Sequence, residues 1–137
     1  MRIAVDALRG DHAPDRPVAG ALAAIRQAAR DFQIVLLGDE SRLTPLLSRD
    51  TDFSGLSVLR APEAIGMDES PDSVPRLKKS YSIAVGIGLQ KQGLADAFAS
   101  AGNAGAVMAA ALTTLGRIEG LPRPAVMVAV AAGRAER

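Results

Sequence analysis

Short runs of continuous apolar residues alternate along this chain with longer stretches in which apolar residues recur every three or four positions. The runs "RIAVDAL" (2–8), "FQIVLLGD" (32–39), "LSVLRAP" (56–62), "ADAFAS" (95–100) and "PAVMVAVAA" (124–132) predict five strands. Runs with little polar alternation are buried on both faces, as in parallel sheets covered by helices. Val18, Leu22, Ile25 and Ala29 predict a helix ending near Arg30, with Asp15 as its N-cap and Pro17 in its first turn. A short helix is expected over 40–49, where Pro45 sits in the first turn or bends it. Leu77, Tyr81, Val85 and Leu89 predict a third helix over 75–92, and Val107, Met108, Ala111, Leu112 and Leu115 a fourth over 104–116. Gly86 and Gly88 weaken the third helix by about 1 kcal/mol each relative to alanine if exposed. Otherwise they permit close packing.

The resulting order, strand and helix in strict alternation, predicts the α/β class. The expected architecture is a three-layer α/β/α, Rossmann-like, doubly wound and mainly parallel sheet. Strand order is not legible at this level. A single domain over 1–137 is expected, because one core of this size suffices and no composition break or repeat divides it. The chain ends a few residues after its fifth strand, where a parallel sheet normally adds a covering helix. The expectation is therefore the N-terminal part of a longer domain.

Composition narrows the function classes. Hydrophobic residues are 48% of the chain and the net charge is +1, which suits a globular protein and gives no general attraction to nucleic acid. Aromatics are 3%, too few for a base-stacking platform. There is no cysteine, which excludes disulfides, thiolate metal sites and a cysteine nucleophile. No apolar run approaches the roughly 18 residues of a bilayer span, and the N-terminus lacks the pattern of a signal peptide.

"SAGNAGA" (100–106) joins the fourth strand to the fourth helix. Its glycines let backbone N–H groups approach an anion, and the helix N-terminus adds unpaired donors and a partial positive charge. Ser100 and Asn103 can add side-chain hydrogen bonds. "RGDHAP" (9–14) closes the first strand and falls on the same edge of a parallel sheet, so the two loops can line one cleft. The alternative is a plain tight turn in which Ser100 or Asn103 caps the helix.

His12, the one histidine, reads as a general acid or phosphate ligand, or else as a loop side chain bonded to the backbone. Asp6, Asp11 and Asp15 can be read as metal ligands, but Asp11 and Asp15 suit turn and cap roles, and no metal site is expected. Met67, Met108 and Met127 read as packing. No P-loop sequence occurs, and Gly86, Gly88 and Gly93 do not form a dinucleotide fingerprint, which disfavours a nucleotide-dependent dehydrogenase.

Two longer segments carry a resemblance. "MRIAVDALRGDHAP" at the start and "ADAFASAGNAGAVMAAALTTLGRIEGLPRPA" (95–125) resemble the phosphate acyltransferases of bacterial phospholipid synthesis, the PlsX family, with "IVLLGDE" and "APEAIGMDESP" between them in the family's order. Two departures stand out: Arg9 where the family usually has glycine, and Ala104 where it usually has threonine. Family members are more than twice as long.

The resemblance implies a fold similar to the phosphotransacetylase and isocitrate dehydrogenase group. It implies transfer of a fatty acyl group from acyl carrier protein to inorganic phosphate, without a cofactor, by a cytoplasmic homodimer peripherally associated with the inner membrane face. On this basis His12 and Asn103 are the expected catalytic residues, and Gly10, Asp11, Ser100, Gly102, Ala104 and Gly105 the expected phosphate-binding ones. Arg76, Lys78, Lys79, Arg117 and Arg123 are candidate contacts for the acidic carrier protein. The competing expectations are a non-catalytic fragment of such an enzyme and a phosphate- or nucleotide-binding α/β domain of another enzyme class.

Overall fold

The computed structural model describes residues 1–27, 32–47, 54–64 and 81–126. Among these residues four strands and four helices alternate: β1 (Arg2–Asp6), α1 (Asp15–Gln27), β2 (Gln33–Gly38), α2 (Glu40–Leu47), β3 (Leu56–Arg60), α3 (Ser82–Lys91), β4 (Ala97–Ala99) and α4 (Ala104–Thr114). All strand pairs are parallel and the order is β3-β2-β1-β4. The chain steps outward from β1 to β3. It then returns through α3 to place β4 on the other side of β1.

The β2 run is buried on both faces because alternate residues meet different helix layers, whereas β3, at the edge of the sheet among the described residues, leaves Leu59 exposed against the expectation of two-sided burial. Ile34 and Leu36 of β2 pack with Val18 and Ala21 of α1 and Leu43 and Leu47 of α2. Val35 and Leu37 face the other way, with Ala4, Val85, Leu89 and Phe98. Ile83 and Ile87 of α3 close against Ala106 and Ala110 of α4. The sheet is thus the middle of three layers, and each fully buried leucine such as Leu36 or Leu37 contributes about 2 kcal/mol to holding it there.

Local chemistry trims the expected elements. β1 ends at Asp6 rather than residue 8, because Asp6 turns its carboxylate back onto the Leu8 N–H (3.0 Å) and starts the loop. Asp15 lies inside the first turn of α1 instead of capping it, where its negative charge still favours the positive helix end. Pro45 sits inside α2, and the helix begins early enough for Asp39 to cap it, its carboxylate accepting from the Ser41 N–H and hydroxyl. Gly86 packs directly on the Phe98 ring, leaving no room for a Cβ, whereas Gly88 has open space around it. Only Gly86 is there for close packing. Residues 124–126 are exposed and outside any strand, and 127–132 lie outside the described residues, as do 75–80 of the expected third helix.

Candidate active site at the switch point of the sheet

In open parallel sheets, ligands bind beyond the carboxyl ends of the strands where the strand order reverses. Here that place is between β1 and β4. The start of β4 is clasped to β1 by Arg2, whose backbone N–H donates to the Asp96 carboxylate (2.6 Å) and whose guanidinium donates to the Gly93 carbonyl (2.5 Å). At the other end, the Ser100 hydroxyl donates to Asp6 Oδ2 at 2.8 Å. Asp6 is 2% exposed and spends its second oxygen on Leu8 N–H. Gly10, at φ 106°, takes a left-handed turn that brings it against Ala101, so the two loops touch.

Ser100 also accepts from the Gly102 N–H (3.1 Å), so that donor is directed inward. Asn103 is the N-cap of α4, its side-chain oxygen accepting from the Ala106 N–H at 3.0 Å, while its carbonyl accepts from Val107. These bonds leave Ala104 and Gly105 as the first-turn N–H donors with no partner in the described chain.

Two cavities meet at this point. A polar cleft of about 520 Å³ is lined by Asp6, Arg9, Gly10, Asp11, His12, Arg16 and Ser100, among others. An apolar groove of about 540 Å³ runs from Ser100, Gly102 and Ala104 along Val107, Met108, Ala111 and Leu112, and is closed by Ile118, Leu121 and residues 124–126. Ser100 belongs to both. Of the sequence-predicted residues, Gly10, Asp11, His12 and Ser100 therefore share the polar cleft, and Gly102 and Ala104 flank the groove. Asn103 and Gly105 line neither and sit at the N-terminus of α4. Met108, expected in packing, is instead 38% exposed on the groove, because α4 buries a stripe of alanines, Ala106 and Ala110, and turns its larger residues outward. Arg117 and Arg123 stand on the groove. Arg76, Lys78, Lys79, Met67 and Met127 lie outside the described residues.

Arg16 was not singled out by sequence reasoning. The signal for it was local: four residues past His12, it follows the loop into α1 and its N–H bonds the His12 carbonyl (3.0 Å). No cluster of three or more histidine or acidic side chains that could hold a metal occurs among the described residues. The loop after β1 carries one glycine and no G-x-G-x-x-G, so the Rossmann-like strand order here comes without the dinucleotide fingerprint.

The fold and the switch-point cleft define a three-layer α/β domain with helix-terminal donors on one side of the cleft and cationic side chains on the other. Sequence comparison makes the class specific. The family described as "Fatty acid synthesis protein" matches residues 1–134, and the chain belongs to that family. It is 48% identical over 128 residues to a phosphate acyltransferase of Herpetosiphon aurantiacus, covering 93% of this chain and 34% of that protein. It is 44% identical over 126 residues to the phosphate acyltransferase of Myxococcus xanthus (92% and 35%) and 46% identical over 127 residues to that of Desulfitobacterium hafniense (93% and 37%). The chain spans about a third of the length of these acyltransferases.

Proposed function

We propose that this chain forms the phosphate side of the active cleft of an acyltransferase that moves a fatty acyl group from acyl carrier protein to inorganic phosphate. The observation that carries the reading is the meeting of a polar cleft and an apolar groove at Ser100. Acyl transfer to phosphate needs that juxtaposition: an anion on one side, an aliphatic chain on the other, and the thioester carbonyl between them.

The chemistry asks little of the side chains. A phosphate oxygen attacks the thioester carbonyl carbon. A C–O bond forms, the tetrahedral oxyanion collapses, and the C–S bond breaks. The departing thiol has a pKa near that of cysteine, about 8.5, so it leaves readily and takes its proton from water or from His12. The protein must position phosphate and stabilise the oxyanion. Ala104 and Gly105 N–H groups are donors for the phosphate and suit that oxyanion as well, with Asn103 holding the helix end that presents them. Gly10, Asp11, His12, Ser100 and Gly102 shape the phosphate cleft. Arg117 and Arg123 are contacts for the acidic carrier protein.

No helix among the described residues is long and apolar enough to cross a membrane. Peripheral association at the cytoplasmic face, and a homodimer, are the setting this reading carries for the longer proteins. The test is phosphate-dependent thiol release from a long-chain acyl carrier protein. Release that requires phosphate and falls in Asn103→Ala supports the reading. A folded chain that gives no release sinks catalysis by these residues alone and leaves a binding fragment.

A further inference from the structure

We propose that Arg9 is an anion ligand of the polar cleft, the stem of its side chain seated against the bare backbone of Gly102 and its guanidinium paired by a phosphate oxyanion. This rests on the phosphate reading of the cleft above.

Three observations point to it. First, Arg9 Nε is buried and has no hydrogen-bond partner, and no ion pair joins Arg9 to Asp6 or Asp11 among the described residues. A buried donor left unmade is costly, and an arginine head not tied to a carboxylate can turn onto a ligand in the cleft it lines. Second, the seat is shaped for this side chain. A Cβ at residue 102 would lie 3.0 Å from Arg9 Cγ and 3.3 Å from Arg9 Cβ, so only glycine lets the arginine lie there undisturbed. Third, the cleft needs cations. Asp6 and Asp11 both line it, and a phosphate dianion entering beside them is repelled unless positive charge offsets theirs. Arg9 and Arg16 line the same cleft, and Arg9 is the one that lies against Gly102, in the loop leading into α4. A guanidinium fork grips a phosphate with two parallel N–H bonds, which a lysine ammonium cannot reproduce.

The experiment is titration of the 137-residue chain with inorganic phosphate at constant ionic strength, read by amide NMR shifts at Gly10 and Ala104 and by the phosphate-induced rise in Tm. Expected is a Kd raised about tenfold or more by Arg9→Gln, only partly restored by Arg9→Lys, and unchanged by Arg42→Gln on α2, outside the cleft. Gly102→Ala, which keeps Arg9 and crowds its seat, is expected to weaken phosphate as well. If Arg9 merely packs, Arg9→Gln lowers Tm without phosphate and leaves the phosphate-induced rise intact. That result, or a Kd within twofold of the parent chain, overturns the proposal while the phosphate reading stands. A parent chain that shows no phosphate response overturns both. Should Arg9→Gln lose its dispersed spectrum, Gly102→Ala and Arg9→Lys decide: parent-like affinity in both rejects the role.

Discussion

The Ser100 hydroxyl donates to Asp6 Oδ2 at 2.8 Å, joining two residues 94 apart in sequence at the carboxyl ends of adjacent strands. Asp6 is buried, so its carboxylate depends on this bond more than an exposed one would. The same hydroxyl accepts from Gly102, so one side chain fixes both strand ends and the loop entering α4. Ser100→Ala is expected to cost about 1–3 kcal/mol, because a carboxylate oxygen is left buried without a donor. Denaturant unfolding measures it. The double variant with Asp6→Asn should lose less than the sum of the single losses. Strict additivity would mean that the two side chains do not act as a pair.

The two glycines of α3 should respond in opposite directions. A methyl at Gly86 runs into the Phe98 ring and comes within 3.0 Å of Leu37 Cδ1, so α3 must lift from the sheet. Gly86→Ala is expected to destabilise by about 1–3 kcal/mol, as overpacking does. Gly88 meets nothing within 4 Å. Gly88→Ala should therefore stabilise by about 0.5–1 kcal/mol through helix propensity alone. Equal shifts in the unfolding midpoint for the two variants would refute the packing role of Gly86.

These contrasts show what periodicity conveys and what it leaves out. The continuous runs around Ile34 to Leu37 told correctly of a two-sided sheet, because burial on both faces removes the polar alternation. Nothing local distinguishes Gly86 from Gly88, since the difference is a ring contributed by β4. Strand order was equally hidden, being decided by the long return through α3. The meeting of "RGDHAP" and "SAGNAG" followed from the parallel-sheet rule, which puts every loop after a strand on one edge. The division of labour within them did not. That Gly102 N–H turns inward to Ser100 depends on a side-chain rotamer that no spacing encodes, whereas the cap by Asn103 is one of the two readings the loop sequence allows. α4 misled in the other direction, because its large apolar residues mark the groove and its alanines mark the core.

Asp39 offers a check on the capping geometry at α2. The Ser41 hydroxyl, then the Ser41 N–H, hold its carboxyl below the ordinary value, with Arg60 and Arg42 adding to this and desolvation opposing it. The folded state therefore favours the ionised form. The stabilisation is complete above the unfolded pKa of about 3.9 and is lost as pH falls through the lowered folded value. A carbon-detected NMR titration should place the Asp39 midpoint below that reference, and Ser41→Ala should move it back up. A midpoint unaffected by Ser41→Ala would mean the cap is not what lowers it.

Asn103 separates stability from anion binding. Its side-chain oxygen accepts from Ala106 N–H, the first-turn bond an N-cap makes, so Asn103→Ala is expected to cost about 1 kcal/mol of stability. Aspartate caps as well as asparagine and adds a charge that the helix terminus favours. Asn103→Asp should therefore hold the unfolding midpoint at or above that of the parent chain. The same charge faces any anion drawn to the Ala104 and Gly105 donors, and phosphate affinity should fall about tenfold, equivalent to about 1.4 kcal/mol. Unfolding curves and phosphate titrations on the same samples give both numbers. Stability kept with affinity lost places the anion at the N-terminus of α4. Stability kept with affinity unchanged would place it deeper in the cleft, against Arg9 and Arg16 and away from the helix end.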